Sequence, residues 1–303
     1  MKLPLYNFMD LPPDACEAAK ARYAVLPVPY EGTVTFMRGT ADAPAAIIDA
    51  SAQVEEFDDE LAQDFRAAGI VTLSSIMPAE KPEEQMRRVA STARAVMRSG
   101  KFLLTLGGEH SITAPLVRAA AEQHGEISVL QIDAHADLRD TYKGSTHSHA
   151  CVMRRVLEVT DHVAQVGIRN FSQEECAECP RQVERFITPA MVESDPDWID
   201  RVLSLLGEKV YVTVDVDGFD PAYVPGTGTP EPGGLTWRQV TALLRRICAE
   251  RQVVSADIVE VVPLPGQKVS EFLAARLAYK IIAYTQLPKL TGSCGMTIVT
   301  LSA

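Results

Sequence analysis

Short apolar segments alternate with longer segments of helical pattern along this 303-residue chain, and that alternation limits the folds open to it. Apolar runs of about four to eight residues without regular polar interruptions are typical of strands buried on both faces. Strands are predicted at residues 23–28, 101–106, 127–132, 163–167, 209–214, 253–259 and 296–301. Helices are predicted at 82–99, 114–124, 150–160, 198–206, 237–251 and 269–285. This order predicts an α/β fold, in which helices flank a mainly parallel central sheet on both sides.

The chain contains no evident internal repeat, low-complexity tract or Ser/Gly linker, so we expect a single domain over residues 1–303. An apolar share of 47% and a charged share of 23% are ordinary for a soluble globular protein. No stretch approaches the roughly 18 uninterrupted apolar residues of a membrane span. The first residues also lack the apolar core of a secretory signal. We therefore expect a cytoplasmic protein that does not enter a membrane.

The net charge of −11 argues against nucleic acid as a partner, because nucleic-acid backbones are bound by basic surfaces. Such a charge mainly keeps a protein soluble and favours the approach of cations only weakly. Among six cysteines, Cys176 and Cys179 form a lone C-x-x-C, without the second pair that a closed zinc site needs. Because this motif lies in the acidic, loop-like stretch SQEECAECP, we predict two surface thiols there.

Three of the predicted strands run directly into potential metal ligands. The carboxyl ends of parallel strands form the ligand-binding edge of a sheet, so these side chains should meet there. If the strand before it continues, the run Asp-Ala-His-Ala-Asp also places its three polar residues on one face. Ionisable groups at buried strand ends are costly unless something positive neutralises them. The predicted metal ligands are His110, Asp133, His135, Asp137, Asp215 and Asp217.

A lone Asp-x-Asp or a lone histidine is common without any metal, but the Asp-x-His-x-Asp run and the combination of all three strand ends favour a metal site. Four carboxylates and two imidazoles without a thiolate suit Mn²⁺ best, with Fe²⁺, Co²⁺ and Zn²⁺ as alternatives. Six side chains exceed the needs of one ion and suit two ions about 3.5–4 Å apart, a pair that activates water. A metal-dependent hydrolase is predicted. A two-metal phosphatase and a non-catalytic metal-binding scaffold are the alternatives.

The segments GGEH (107–110), DAHAD (133–137) and VDVDGFDPAYVPGTGTPEPGGL (214–235) resemble those of the ureohydrolases, which comprise arginase, agmatinase and their relatives. The resemblance runs from about Tyr30 to the C-terminus. It implies an arginase-like α/β fold, two Mn²⁺ per subunit, and assembly into trimers or hexamers. By resemblance, one ion is held by His110, Asp133, Asp137 and Asp215, and the other by His135, Asp133, Asp215 and Asp217, so that Asp133 and Asp215 bridge.

The resemblance also implies roles beside the metals. His149 matches a catalytic histidine that transfers protons, Glu260 an acid that pairs with the guanidinium group, and Thr229 a threonine lining the substrate pocket. Asp217 or His149 would protonate the departing amine. Four aspartates balance two divalent ions, so a bridging hydroxide and Glu260 leave the centre slightly negative. Such a site favours a small cationic guanidino substrate over a phosphate, which counts against the phosphatase alternative.

By resemblance, the tail of the substrate is read by the loop between DAHAD and His149. That loop, 138–148, lacks the asparagine through which arginases read an α-amino acid, and it resembles the loop of agmatinases. Agmatine, cleaved to putrescine and urea in polyamine biosynthesis, is therefore the favoured substrate. Arg139 and Lys143 leave open a guanidino acid such as guanidinobutyrate. The 37–42 segment also departs from the family pattern at Met37, Arg38, Ala41 and Asp42.

Overall fold

The computed structural model describes residues 7–289, and seven of its strands form one parallel sheet in the order β4-β1-β5-β9-β8-β6-β7. The two remaining strands, β2 and β3, pair as a small antiparallel hairpin. The strands are β1 (Tyr23–Val28), β2 (Phe57–Asp58), β3 (Gln63–Asp64), β4 (Ile70–Thr72), β5 (Phe102–Gly107), β6 (Ser128–Ile132), β7 (Val163–Val166), β8 (Lys209–Asp215) and β9 (Gln252–Val259).

Helices cover both faces of the sheet, which gives the three-layer α/β arrangement expected from the sequence. One apolar core includes residues of α1, α8, α9 and α10, and a second, on the other face, includes residues of α2, α3 and α4. The helices are α1 (Ala43–Ser51), α2 (Pro82–Arg98), α3 (Thr113–His124), α4 (Val152–Val156), α5 (Gln173–Glu178), α6 (Pro180–Val183), α7 (Pro189–Ser194), α8 (Trp198–Ser204), α9 (Trp237–Glu250) and α10 (Val269–Tyr284).

Local sequence explains where these helices begin and which face they bury. Thr236 caps α9, since its hydroxyl accepts from the Gln239 amide while the Gln239 side chain accepts from the Thr236 amide. The helix then buries apolar residues at helical spacing against the sheet, at Val240, Leu243, Leu244 and Ile247.

Six of the seven predicted strands are confirmed to within one residue at each end. The seventh, at Met296–Leu301, lies outside the described residues. The predicted helix 150–160 was too long, because α4 spans only Val152–Val156 and the Thr160 hydroxyl donates to the carbonyl of Ile127, just before β6. Helix α1 and strand β4 were not predicted.

The acidic stretch around the C-x-x-C was wrongly predicted as a loop with two surface thiols. Ser172 and Glu175 form a capping box that starts α5 within this stretch. Cys179 is buried, and its sulfur lies 2.7 Å from Nη1 of Arg154.

Within the described range, no helix combines the length and the apolar character needed to cross a bilayer.

Four adjacent strands, β5, β9, β8 and β6, end at one edge of the sheet and bring distant parts of the chain together there. The exit from β5 is tight. A Cβ added at Gly108 would lie 2.1 Å from the carbonyl oxygen of Tyr30, just after β1, so only glycine fits at this position. Gly108 is therefore required for close approach, and its amide donates to the Val28 carbonyl at 2.9 Å.

Candidate active site

His110 is the centre of a first group of buried ligand atoms at this edge. Its Nδ1 lies 3.1 Å from Asp133 Oδ2, 3.3 Å from Asp137 Oδ2 and 3.3 Å from Asp215 Oδ2. All four side chains are almost completely buried. The geometry thus unites the four residues that sequence resemblance assigns to one metal ion.

A second group surrounds His135, which is partly exposed. Its Nδ1 lies 3.0 Å from Asp217 Oδ2 and 3.6 Å from Asp133 Oδ1. Asp133 therefore offers one carboxylate oxygen to each group. Asp215 presents Oδ2 to the first group, while its Oδ1 accepts the Asp217 amide at 3.0 Å. A bridging role for Asp215 stays a prediction.

The chain does not bring these residues together by continuing its strands, as the sequence pattern suggested. Strand β6 ends at Ile132, and Asp137 turns back to His110 through a left-handed backbone conformation with φ of 53°. Asp217 likewise lies in a short 3-10 turn after β8, at residues 216–218. The alternating sequence pattern identified the correct residues. Their side chains are brought together by tight turns after the strands, however, and not by continued strands.

The donor set fits a pair of divalent cations. Nδ1 of His110 is fully buried, makes no hydrogen bond among the described residues, and faces three carboxylate oxygens, as a metal ligand does. Burial, and then the charge of Asp133, raises the pKa of Asp137 to about 7. Burial and the neighbouring Asp217 raise the pKa of Asp215 well above its usual value. The carboxylates therefore crowd one another, and bound divalent metal would supply positive charge between them.

A hydrogen-bond chain behind His110 selects the tautomer that such a ligand needs. The Thr213 hydroxyl donates to Asp257 Oδ1 at 2.6 Å and therefore accepts from the Nε2–H of His110 at 2.9 Å. With its proton on Nε2, the ring keeps Nδ1 free as a donor of an electron pair.

Asp257 was not predicted as a site residue. Its signal was a single acid within the apolar strand VVSADIV, where a carboxylate needs buried partners. It belongs to a line of buried polar residues that occupy adjacent register positions across five strands, which we call the polar row. In sheet order, the polar row consists of Thr105, Asp257, Thr213, Gln131 and Gln165. Gln131 donates to Asp133 Oδ2 at 2.6 Å and Gln165 donates to Gln131 at 2.5 Å, so this line also orients a ligand carboxylate.

Glu260 follows β9 and is held firmly beside the first group. Its Oε1 accepts the His110 amide at 2.7 Å, and its own amide donates to the Gly108 carbonyl at 2.8 Å. Its φ of 65° is left-handed, which is unusual for a residue with a side chain. Burial, and then the charge of Glu109, raises the pKa of Glu260 well above its usual value.

His149 begins the turn before α4 and lines the same cavity as Glu260, Asp217 and Thr229. Burial, and then the neighbouring rings of His110 and His135, lowers the pKa of His149 to about 4. The ring is therefore neutral near pH 7. The Thr229 hydroxyl donates to Asp217 Oδ2 at 3.1 Å, so Thr229 contacts a ligand carboxylate as well as the cavity.

The outer part of this cavity is lined by Val34, Thr35, Phe36, Met37, Arg139, Tyr142 and Phe171. Arg139 is already engaged, because its Nη1 donates to Glu174 at 3.2 Å and its guanidinium lies 5.1 Å from the Tyr142 ring centroid. Arg38 pairs with Glu31 at 3.1 Å. Of the divergent 37–42 segment, Met37 alone lines the cavity.

Arg169 was also missed by the sequence analysis. Its half-buried guanidinium donates to the carbonyl oxygens of Asp217 at 2.8 Å and Glu231 at 2.6 Å. It ties the turn that carries Asp217 to the segment after Thr229. An arginine in a loop gives no sign of such a role, since surface arginines are far more common.

The sequence profile of the arginase family matches residues 21–283 of this chain. The chain belongs to the arginase family. This confirms the predicted family, fold class and hydrolase activity: the protein is an arginase-family ureohydrolase. The family is known for a binuclear metal site, and the two ligand groups described above are candidates for it.

Relatives of this ureohydrolase cover most of its length. It is 40% identical over 276 residues to the N(1)-aminopropylagmatine ureohydrolase of Synechocystis sp., which covers 88% of this chain and 90% of that protein. It is 32% identical to the agmatinase of Pyrococcus horikoshii, over 93% of this chain and 98% of that one. The crystal structure of the agmatine ureohydrolase of Thermoplasma volcanium superposes with a TM-score of 0.83 at 35% identity, covering 90% of this chain and 93% of the other.

Proposed function

We propose that this ureohydrolase cleaves the guanidinium group of agmatine to urea and putrescine, a step of polyamine synthesis, with two Mn²⁺ ions per subunit. The observation that carries the proposal is the position of Glu260, whose buried carboxylate lines the same cavity as both ligand groups. A planar guanidinium pairs well with a fixed carboxylate. The surrounding aspartates also disfavour an anionic phosphate at the reacting centre, which argues against the phosphatase alternative.

The proposed metal ligands are the six residues of the two groups. His110, Asp133, Asp137 and Asp215 would hold one ion, and His135, Asp133, Asp215 and Asp217 the other. Oxygen-rich ligation without thiolate favours Mn²⁺. When bound, such a pair supplies a water whose pKa is lowered towards neutrality.

The chain's own residues position the substrate and move protons. One oxygen of Glu260 is occupied by the His110 amide, which leaves Oε2 for the guanidinium. Water adds to the guanidinium carbon, the bond from that carbon to the alkylamine nitrogen breaks, and the amine leaves with an added proton. Asp217 or His149 supplies that proton, and Thr229 keeps the Asp217 carboxylate oriented.

The outer cavity favours a substrate whose tail carries no carboxylate. Arg139, the lining residue that would pair with an acid, is committed to Glu174 and Tyr142. Among residues 7–289, the cavity therefore offers guanidinobutyrate no free arginine partner, whereas an aliphatic amine needs none. This supports agmatine over the guanidino acids.

A second candidate substrate is N(1)-aminopropylagmatine, which would give urea and aminopropyl-putrescine. Relatives at 38–40% identity are named for this compound. Two aromatic side chains at the cavity mouth support a longer tail: Phe36 is 72% exposed and Phe171 is 41% exposed. An additional ammonium group can lie against such rings.

Urea release from the purified protein loaded with Mn²⁺ tests the proposal. Agmatine, N(1)-aminopropylagmatine, arginine, guanidinobutyrate and guanidinopropionate should be compared by kcat/KM. We expect the two amines to exceed arginine and both acids by at least about tenfold, since a misplaced charged group costs about 1.4 kcal/mol or more. The ratio of the two amines decides between the two candidates.

Loading with Zn²⁺ or Co²⁺ in place of Mn²⁺ serves as the comparison for metal identity. An absence of urea from all five compounds, with both metals shown to be bound, would contradict the proposed reaction and favour a metal-binding scaffold. The proposed assembly is a trimer or hexamer in the cytoplasm, and light scattering of the purified protein measures its mass.

A further inference from the structure

The buried carboxylate of Glu109 and the hydroxyl of Thr33 connect the segment after β1 to His149. Thr33 Oγ1 lies 2.9 Å from Glu109 Oε1 and 3.0 Å from Nδ1 of His149. The same oxygen accepts the backbone amide of His149 at 3.1 Å. Thr33 therefore contacts both the main chain and the ring of the residue that is proposed to move protons.

Glu109 is surrounded by hydrogen-bond donors that reach both of its carboxyl oxygens. It is fully buried, and its Oε2 accepts the amides of Gly32 and Thr33, each at 2.6 Å. Its Oε1 accepts the hydroxyls of Ser111 at 2.5 Å and Thr33 at 2.9 Å. Four donors surrounding one side chain leave the carboxylate as an acceptor on both oxygens.

The proton of the Thr33 hydroxyl is therefore engaged in the hydrogen bond to Glu109. A hydroxyl has one proton to donate and two lone pairs to accept with. Thr33 donates to Glu109 and accepts the His149 amide with one lone pair, so its second lone pair faces Nδ1 of His149. That contact is a hydrogen bond only if Nδ1 carries the proton.

We infer that Glu109 and Thr33 are positioning residues that hold His149 in the tautomer protonated on Nδ1, so that Nε2 is the atom that exchanges protons with the substrate. This inference rests on the proposed function for its catalytic consequence. Nδ1 of His149 is engaged by the Thr33 hydroxyl, and the ring also lines the cavity. Tyr142 meets the ring edge-on, with centroids 6.2 Å apart, and further limits its rotation.

The geometry has a specific catalytic consequence. In the opposite tautomer Nε2 would carry the proton and could not take one from water, and a ring without the Thr33 contact would sample both forms. Substrate binding depends on Glu260 and the cavity walls rather than on this proton. Loss of the Thr33 hydroxyl should therefore lower kcat and leave KM nearly unchanged.

Two substitutions at one position separate the hydroxyl from the shape of the side chain. Thr33→Val keeps the shape and the amide contact with Glu109 Oε2 but removes the hydroxyl, and Thr33→Ser keeps the hydroxyl. We expect Thr33→Val to lower kcat on agmatine or its aminopropyl derivative by about 100-fold, and Thr33→Ser to restore it to within about threefold. Thr72→Val is the matched control, because it removes another hydroxyl that accepts a backbone amide, at 2.8 Å from Phe8, far from the cavity.

The tautomer itself gives a readout that does not depend on turnover. Nitrogen-15 spectra of metal-free, histidine-labelled protein should show His149 with Nδ1 protonated in the wild type and in Thr33→Ser, and with increased Nε2 protonation in Thr33→Val. The signal is assigned by its absence from His149→Asn. The protein has six histidines, so the spectrum is simple enough to assign in this way.

The outcomes separate the inference from the proposed function. An Nδ1-protonated His149 in Thr33→Val, or a Thr33→Val enzyme with the kcat of Thr33→Ser, overturns the inference. A fall in kcat that is matched by Thr72→Val, or by lost metal, shows a structural role and also overturns it. A wild type that releases no urea contradicts the proposed function, while the tautomer measurement still decides whether Thr33 and Glu109 orient His149.

Discussion

Two residues of the active site have backbone conformations that side chains usually avoid. Asp137 and Glu260 have φ of 53° and 65°, in the left-handed region. Each such residue costs about 1 kcal/mol or more unless its surroundings enforce it. Here Glu260 is enforced by hydrogen bonds to Gly108 and His110. These left-handed conformations direct the Asp137 carboxylate towards the first ligand group and the Glu260 carboxylate into the cavity.

Glu260→Gln tests the guanidinium-binding role at the scale of one residue. The amide oxygen can still accept the His110 amide, so both metals should remain bound at wild-type stoichiometry. The lost charge should lower kcat/KM by about 30-fold or more, because an unpaired buried charge costs about 2 kcal/mol or more. Steady-state kinetics and metal analysis on the same sample measure both effects.

Glu126→Gln is the matched control, because it makes the same substitution at an exposed acid near the opposite end of β6. Wild-type kcat/KM in Glu260→Gln would remove the proposed role of Glu260.

At this scale the sequence predicted residue identity better than conformation. The six proposed ligands, His149, Glu260 and Thr229 could be named because metal chemistry and family motifs restrict residue types at those positions. The turns that aim Asp137 and Asp217 could not be predicted, since a two-residue alternation favours an extended strand there. Thr33 and Glu109 were missed because their roles depend on contacts over 76 positions of sequence.

The elements of the sheet contribute to the site through their register. The polar row defined above lies two residues before Asp133 and Asp215 on β6 and β8, and it crosses five strands of an otherwise apolar layer. A buried polar group is costly without partners, so four of the five members, all but Thr105, bond to a neighbour in the row or to a ligand beyond it. A slip of one residue between any two of these strands would break the line and turn a ligand away.

Thr213→Val tests the polar row. Removing the hydroxyl between His110 and Asp257 should free the His110 ring and weaken metal binding by about tenfold, as loss of a partner behind a metal ligand commonly does. Titration of metal-free protein with Mn²⁺, followed by calorimetry, measures the affinity.

Thr105→Val is the matched control, because Thr105 occupies the same row and its hydroxyl makes no hydrogen bond within residues 7–289. Equal affinities for the two valine variants would show that the Thr213 contact does not orient His110.

At the scale of elements, the strands of four or more residues were predictable and those of two or three residues were not. Strands β1, β5, β6, β8 and β9 are apolar over nearly their whole length, which gives a clear signal. Strand β4 has three residues, too few for any periodicity. Helix α1 has only nine residues and a proline, Pro44, in its first turn. A helix this short is marginal in isolation, so its packing against α10 decides the structure more than local preference does.

At the scale of the whole molecule, the site joins parts of the chain that are remote in sequence. His110 and Glu260 are hydrogen-bonded across 150 positions, and the ligands follow three different strands. A metal held by these residues binds only the assembled sheet. Its binding free energy therefore adds to the stability of the entire fold.

Removing the metal should accordingly lower the melting temperature. At a free metal concentration 100 times the dissociation constant, binding adds about 2.7 kcal/mol, which corresponds to about 5 °C or more for a domain of this size. Thermal unfolding before and after chelation, and again after Mn²⁺ is restored, measures the shift. Asp133→Asn, which lacks the residue shared by both groups, should show a much smaller shift. Identical melting temperatures with and without bound metal would contradict this expectation.

The position of β9 within the sheet also has a consequence for how the protein is made. β9 spans Gln252–Val259 and lies between β5 and β8, although it is the last of the described strands to be synthesised. Until it leaves the ribosome, β4-β1-β5 and β8-β6-β7 are separate pieces with unpaired inner edges, which are the surfaces that pair between chains. A chain that stops before residue 252 cannot close the sheet around its metal ligands, so the unpaired edges of β5 and β8 stay open to aggregation until β9 has been made.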